Sequence, residues 1–231
     1  MKKIVLIALS ILGVQSSLIA QETETTITTT ATSNDEEVKT WYISVGAAVM
    51  DDYKINKKLA AAGMPQIGNS ALEVSIGHSV MYKKLLMDIE WNTNYMDNKT
   101  ATDRVKTVNS GVNFRVNYVA WQNNKFFLSG GADFSYMFNY FNLYTRGNVI
   151  DINDLTPSTH TGHINLNNSQ FYMGPSIVFG ALQKTKFPLR LNLGYEWALY
   201  SSNWKSEVAG VANSFRENGQ GRFYAKLSIP L

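Results

Sequence analysis

The stretch Pro188–Tyr200, PLRLNLGYEWALY, constrains the fold most strongly because it alternates apolar and polar residues at a period of two. Leu, Tyr or Trp occupies every odd position from Leu189 to Leu199, and the even positions carry residues such as Arg190 and Glu196. Successive side chains of a β-strand point to opposite faces of the sheet. The same alternation recurs in eight segments, which is typical of a transmembrane β-barrel with a lipid-facing outside and a polar inside.

The sequence therefore predicts an all-β fold, an eight-stranded antiparallel transmembrane β-barrel. The predicted strands are Trp41–Met50, Ser70–Val80, Leu85–Tyr95, Val108–Ala120, Phe126–Tyr140, Gln170–Leu182, Pro188–Tyr200 and Arg222–Leu231. The intervening segments alternate between short (81–84, 121–125, 183–187) and long (51–69, 96–107, 141–169, 201–221). Outer-membrane barrels have short periplasmic turns and long extracellular loops, so we expect both chain termini in the periplasm.

Aromatic residues support this threading, because it gathers them at the two ends of the strands. Such rings collect at membrane interfaces, and they make up 12% of the chain. The predicted periplasmic row is Trp41, Tyr118, Trp121, Phe126, Phe179 and Phe187, and the outer row is Trp91, Tyr95, Tyr136, Tyr140, Phe171 and Trp197. The net charge of +3 is too small to indicate a nucleic-acid partner, and the lack of cysteine excludes disulfides and thiolate metal sites.

The amino-terminal region divides into two parts before the barrel at residues 40–231. Residues 1–20 combine Lys2 and Lys3 with a short apolar run, which predicts a cleaved secretory signal peptide. A retained anchor is the alternative, but the run is shorter than the ~20 residues of a spanning helix. Residues 21–39 are Thr-rich and acidic, which predicts a disordered periplasmic linker or, alternatively, an exported recognition tail.

The inward positions of this threading carry nearly balanced charges. They are Glu73, Asp88, Glu90, Arg115, Asp133, Arg190, Glu196, Arg222 and Lys226. Eight strands leave an interior just wide enough for side chains, and enclosed charges are costly unless they are paired. We therefore expect a charge-paired lattice that plugs the barrel, with Arg115 as its hub between Asp88, Glu90 and Asp133. A proton or ion path is the alternative role of these groups.

The long segment 141–169 is the predicted extracellular loop best suited to bind a partner or ligand, because binding residues concentrate on loops. Its candidate surface is Tyr144, Arg146, Asp151, Asp154, His160 and His163. His160 and His163 could bind a metal, but histidines in such loops are more often solvated. His78 falls near the periplasmic end of its strand, and no Ser-His-acid grouping is visible. We therefore assign no metal, cofactor or catalytic residue.

With its signal peptide ending at Ala20-Gln21, its eight strands and its final strand GRFYAKLSIPL, the chain resembles small outer-membrane β-barrel proteins of the porin family. The resemblance is to PorT-like proteins and, more distantly, to the OmpX and OmpA barrels, and it covers residues 41–231. It departs from the pattern at Leu231, where many such barrels end in an aromatic residue. The resemblance implies residence in the bacterial outer membrane and assembly by the barrel insertion machinery, with lipid and lipopolysaccharide as surroundings.

Three classes of function remain open on the sequence. The first is a structural or interaction barrel with a plugged interior, including a subunit of a secretion or assembly complex with a protein partner in the outer membrane. The second is a small-solute channel. The third, which we favour least, is an enzyme that modifies lipids or peptides.

Overall fold

The computed structural model describes residues 38–145, 163–181 and 188–231, and these form a closed barrel of eight antiparallel strands. The strands are β1 Val38–Met50, β2 Ser70–Tyr82, β3 Leu85–Lys99, β4 Asp103–Gln122, β5 Phe126–Thr145, β6 His163–Ala181, β7 Leu189–Ser201 and β8 Gly221–Pro230. Each strand pairs with its neighbour in sequence, and β8 pairs with β1 to close the ring. The predicted fold class is confirmed.

The two ends of the barrel differ in the segments that connect the strands. At one end, which we call the turn end, Lys83 and Lys84 join β2 to β3 and residues 123–125 join β4 to β5. At the other, the loop end, lie residues 51–69 between β1 and β2, the turn Thr100–Thr102 and residues 202–220 between β7 and β8. β1 starts and β8 finishes at the turn end.

Four strands extend further toward the loop end than the sequence predicted. β3 and β4 run to Lys99 and from Asp103, so the predicted long loop 96–107 is mostly a hairpin. β5 and β6 run to Thr145 and from His163, so the two ends of the predicted loop 141–169 are also strand. The prediction was wrong here because the alternation continues with its polarity reversed.

The reversal is clearest on β5. Phe138 and Tyr140 point outward and are exposed, whereas Phe141 and Leu143 point inward and are buried. The neighbouring strands do the same, with Met96 and Val105 inward. The register places Asp97, Lys106, Asn142 and Asn165 side by side in one outward row, directly above the outward row of Tyr95, Val108 and Tyr140. The wall is thus apolar outside below this boundary and polar outside above it.

A helix that the sequence analysis missed, α1 (Lys54–Ala61), lies at the loop end. Ile55 and Leu59 are four residues apart and are therefore buried on the same face. The helix ends in a Schellman motif at Gly63, whose φ is +71°. The N–H of Gly63 donates to the carbonyl oxygen of Ala60, and the N–H of Met64 donates to that of Leu59. In the described part of the chain, no helix is long and apolar enough to span a membrane.

Inward glycines make room for large rings in the narrow bore. A Cβ at Gly77 would overlap the ring of Tyr42, and a Cβ at Gly180 would overlap the ring of Phe127. Pro175, which cannot donate to a ladder, lies on β6 between the Met173–Trp197 and Ser176–Gly194 pairs. The β6–β7 register has a gap at this point.

Candidate functional site

Arg115 on β4 forms one centre of the charged interior. Its guanidinium donates to Asp88 on β3 at 3.0 Å and to Asp133 on β5 at 3.0 Å. The register sets these residues directly opposite Arg115 on the two flanking strands. The predicted contact between Arg115 and Glu90 does not form. Glu90 lies opposite Asn113 on β4 and bonds Lys226 instead.

A second centre lies around Arg222 on β8. Its guanidinium donates to Glu196 at 2.5 Å and to both oxygens of Glu73, at 2.8 and 2.5 Å. Lys226, four residues further along β8, contacts Glu73 at 3.2 Å and bonds Glu90. Arg115 is therefore one of two hubs and not the single hub that the sequence predicted.

Tyr224 connects the two centres. Its hydroxyl accepts a bond from Arg115 at 2.8 Å and donates to Asp133. Its ring faces the cations Arg115, Arg222 and Lys226 at 5.7, 5.3 and 4.7 Å from the ring centroid. Such cation–π contacts strengthen when water is excluded. The ring thus contacts three cations that the carboxylates also bind.

All nine residues of the predicted network lie inside the barrel and are at least nine-tenths buried. Arg190 lies at the edge of the network, where it donates to Ser79 at 2.7 Å and approaches Asp88 at 3.8 Å. Five carboxylates face four cations, so the described network has one more acid than base. We call these nine residues the interior charge network.

One inward patch on β2–β4 contains polar atoms without a protein partner. Both amide atoms of Asn92 are buried and unbonded, as are Ser75 Oγ, Asn94 Oδ1 and Asn113 Oδ1. Leaving such a group unsatisfied costs about 1–3 kcal/mol.

Toward the turn end, the bore is filled by an apolar cluster that we call the turn-end plug. It consists of the fully buried Leu86, Val119, Phe127 and Val178, with Met81 packed against it. The guanidinium of Arg190 lies 5.9 Å from the Phe127 ring and so bounds the charge network on this side. This plug was not predicted from the sequence, because paired charges were expected to fill the interior.

Toward the loop end, a second apolar cluster fills the bore, and we call it the loop-end core. It combines inward strand residues with residues of the β1–β2 and β7–β8 connections: Met50, Tyr53, Ile55, Leu59, Ile67, Ala71, Met96, Val105, Phe141, Leu143 and Trp204. The rings of Phe141 and Trp204 meet edge to face at 6.2 Å. Burial raises the pKa of Tyr53, whose hydroxyl accepts a bond from Asn109 at 3.3 Å.

Glu217 fixes α1 to the β7–β8 connection. Its carboxylate accepts bonds from the backbone N–H groups of Lys54 at 2.7 Å and Ile55 at 3.1 Å, and from the indole of Trp204 at 2.9 Å. The first turn of α1 has no acidic residue and no side-chain cap of its own. Free N–H groups and the positive end of the helix dipole favour a carboxylate at this place.

The structure separates the predicted loop surface into strand and undescribed residues. Tyr144 on β5 and His163 on β6 are cross-strand partners on the outward face, with ring centroids 6.4 Å apart. Arg146, Asp151, Asp154 and His160 lie outside the described residues. Within the described ranges, no three His, Cys, Asp or Glu side chains are grouped as metal ligands.

Sequence reasoning missed α1, Glu217 and Trp204, although part of the signal was present. Ile55 and Leu59 at helical spacing, followed by Ala60–Ala62 and Gly63, are typical of a short helix with a glycine stop. Nothing in the sequence near Glu217 indicates a cap, since its partner Lys54 is 163 residues away.

No family model matches the chain, and no curated protein matches it. Among solved structures, it is similar to Ail, the attachment invasion locus protein of Yersinia pestis, with a TM-score of 0.50 and 6% identity over 86% of this chain and 100% of that chain. Neisserial surface protein A gives a TM-score of 0.40 and 8% identity over 83% of this chain and 97% of its own. A major outer membrane protein of Thermus thermophilus gives 0.41 and 8%, over 83% and 99%. The chain therefore shares with Ail the fold of a small, closed, antiparallel β-barrel.

Proposed function

We propose that this chain is an integral bacterial outer-membrane β-barrel protein with a bore closed to solutes, and that it acts as a structural or interaction barrel. The loop end faces the cell exterior in this proposal and carries the surface for a protein partner. A role as a subunit of a larger secretion or assembly complex is one form of this function. Lipid, lipopolysaccharide and the barrel insertion machinery are the other expected partners, and no catalytic role is assigned.

The reversal of polarity along the wall carries the membrane part of the proposal. Leu72 is 67% exposed on the outside of the barrel while its neighbour Glu73 is fully buried inside. A soluble protein does not expose a large, continuous apolar surface to water, because such surfaces bind partners or membranes. Above the row of Tyr95 and Tyr140, the outward residues become polar, which marks where lipid would end.

The height of the apolar band fits a membrane. On β3 the outward apolar residues run from Leu85, opposite Tyr118 at the turn end, to Tyr95 at the outer row. The ten steps from Leu85 to Tyr95, at about 3.4 Å each, span about 34 Å along the strand. A strand tilt of about 40° reduces this to about 26 Å along the membrane normal, close to the apolar band of outer-membrane barrels.

Three successive layers support the closed bore. The turn-end plug, the interior charge network and the loop-end core fill the described interior in sequence from one end to the other. A conducting pore would need its charged groups hydrated along a continuous path, whereas both apolar clusters block such a path. Eight strands also leave too little space for an aqueous channel once side chains are in place. A small-solute channel is therefore the weaker candidate.

Single-cysteine labelling on intact cells tests the orientation, and the natural lack of cysteine makes it clean. Val208→Cys places a thiol on the β7–β8 connection at the loop end, where Val208 is 80% exposed. Lys125→Cys is its match at the turn end. We expect a membrane-impermeant maleimide to label the first variant on whole cells and the second only after the outer membrane is permeabilised.

The reverse labelling pattern would contradict the proposed orientation. Labelling of both variants in a soluble fraction, with no change of gel mobility on boiling, would contradict membrane residence itself. A closed ladder without edges should instead resist SDS until it is heated.

A further inference from the structure

The outer face of α1 carries a group of exposed lysines at the mouth of the barrel. Lys54, Lys57 and Lys58 point away from the core, while Ile55 and Leu59 anchor the helix to it. Glu217 caps the helix, and the Asn56 amide bonds both the N–H and the C=O of Ile67, at 2.8 and 2.9 Å. The lysines are thus presented by a helix that two separate sets of hydrogen bonds hold in place.

A groove runs beside these lysines, between α1 and the β7–β8 connection. It consists of two adjoining pockets of about 480 and 310 Å³ that share Lys58 and Phe215. Leu166, Trp204 and Phe215 contribute to its floor, and Lys54, Lys57 and Lys58 form its α1 rim. Its floor is therefore largely apolar and its α1 rim is cationic.

The charges of this rim are not neutralised by the groove itself. None of the described residues that line the groove has a carboxylate. Glu217 lies at the amino-terminal end of the helix and is occupied by two backbone N–H groups and the Trp204 indole. Lys54 Nζ donates to the backbone oxygen of Asn218 at 2.7 Å, which leaves its charge without a counter-ion in that bond.

We propose that this groove binds an acidic segment of a partner protein, with carboxylates on the lysines and one apolar side chain on the Phe215 floor. Charge complementarity selects the acidic residues, and the two pockets provide room for the apolar one. A peptide fits better than a lipid because the groove opens at the mouth of the barrel, whereas the lipid-facing surface is the outside of the strands. This inference rests on the proposed function, since it assumes that the loop end is free to meet a partner.

Affinity selection from a random-peptide library against the refolded, full-length barrel in a detergent micelle tests the proposal. The wild type should enrich peptides in which Asp or Glu flanks a Phe, Leu or Trp. Lys57→Glu/Lys58→Glu should bind the strongest selected peptide at least about 10-fold more weakly, because it reverses two charges of the rim. Phe215→Ala should weaken peptide binding severalfold. The control Lys84→Glu/Lys125→Glu makes the same charge change at the turn end and should weaken peptide binding by less than twofold.

The heat-modifiable gel shift of each variant shows that it is folded before binding is measured. Selection of neutral or basic peptides, or equal binding by Lys57→Glu/Lys58→Glu and the turn-end control, would overturn the proposal. Displacement of the peptide by anionic lipid micelles in proportion to their phosphate would show a lipid site and also overturn it. The cysteine labelling on cells separates these failures from a failure of the proposed orientation, because peptide binding to purified protein does not depend on the membrane.

Discussion

Two regions of the same barrel wall fill the bore in opposite ways. At mid-depth, where β3–β5 carry Asp88, Arg115 and Asp133, the inward side chains are charged and the outward ones apolar. At the loop end of the same strands, Phe141 and Leu143 point inward while Lys106 and Asn142 point outward. The first arrangement suits a lipid surround and the second suits water. The strand period is the same in both regions, so the surrounding solvent, and not the strand, decides which residue types occupy each face.

The largest expected effect is the loss of one cation from the interior charge network. Arg222→Met leaves Glu196 without its ion-pair partner and Glu73 with only Lys226. Uncompensated buried charge should lower the free energy of unfolding by about 3–5 kcal/mol. Urea unfolding of the refolded barrel, monitored by tryptophan fluorescence, measures this change in the free energy of unfolding.

Arg104→Met is the matched control above the membrane boundary. Arg104 pairs with Asp97, but both side chains are partly exposed, and water screens such a pair. Its loss should therefore shift the urea midpoint only slightly. Equal shifts for the two variants would mean that the two regions do not differ in their electrostatics, and the comparison would fail.

The mid-depth region could be predicted from the sequence, and the loop end could not. Period-two alternation fixes which side of the wall Glu196 and Arg222 occupy, and the short turns fix which strands are neighbours. The ion pairs that cross the barrel were harder to predict, because Arg222 bonds Glu73, which lies 149 residues away in the sequence. Glu90 was assigned to Arg115 but bonds Lys226 and Tyr42.

At the loop end, the prediction was wrong for two physical reasons. Above the boundary row, the apolar residues, such as Met96, Val105 and Leu143, lie on the inward face. This reversal led to their assignment to loops. The helix α1 gains its stability from packing into the barrel mouth and from Glu217, and a helix of eight residues has little stability alone. Glu217 leaves no signal in the sequence near α1, and the helical spacing of Ile55 and Leu59 covers only about one turn.

The next effect concerns the anchor of the loop-end core. Three donors converge on the Glu217 carboxylate, and Glu217→Gln would direct an amide N–H₂ at one of them. We expect a local loss of about 1–3 kcal/mol, since a buried donor is left unsatisfied. Hydrogen exchange should speed up in α1 and leave the mid-depth strands protected.

Glu207→Gln, an exposed acid on the same connection, is the control and should leave exchange unchanged. If Glu217→Gln accelerated exchange equally in α1 and in the strands around Arg115, the loop-end core and the charged layer would be one cooperative unit. The contrast between the two regions would then be one of composition only.

The smallest effect is the pH response of the outward row above the boundary. Arg104 donates to Asp97, with Nε at 2.7 Å from Oδ1, and this lowers the pKa of Asp97 to about 2. The pair therefore stabilises the fold above the ordinary aspartate pKa of 3.8, and this contribution is lost as the pH falls from there through about 2. The Asp97 carboxyl carbon shift in an NMR titration gives the midpoint. Arg104→Gln should return the midpoint to near 3.8, and an unchanged midpoint would remove Arg104 as the cause.

Ion conductance of the purified protein in a planar lipid bilayer shows whether the three layers close the bore. Along the bore, the charged layer lies between the buried cluster of Phe127 and the buried cluster of Phe141 and Trp204. If the bore is closed, we expect only rare, small current events at any voltage that the bilayer withstands. Stable, porin-sized conductance steps from the monomeric barrel would contradict it.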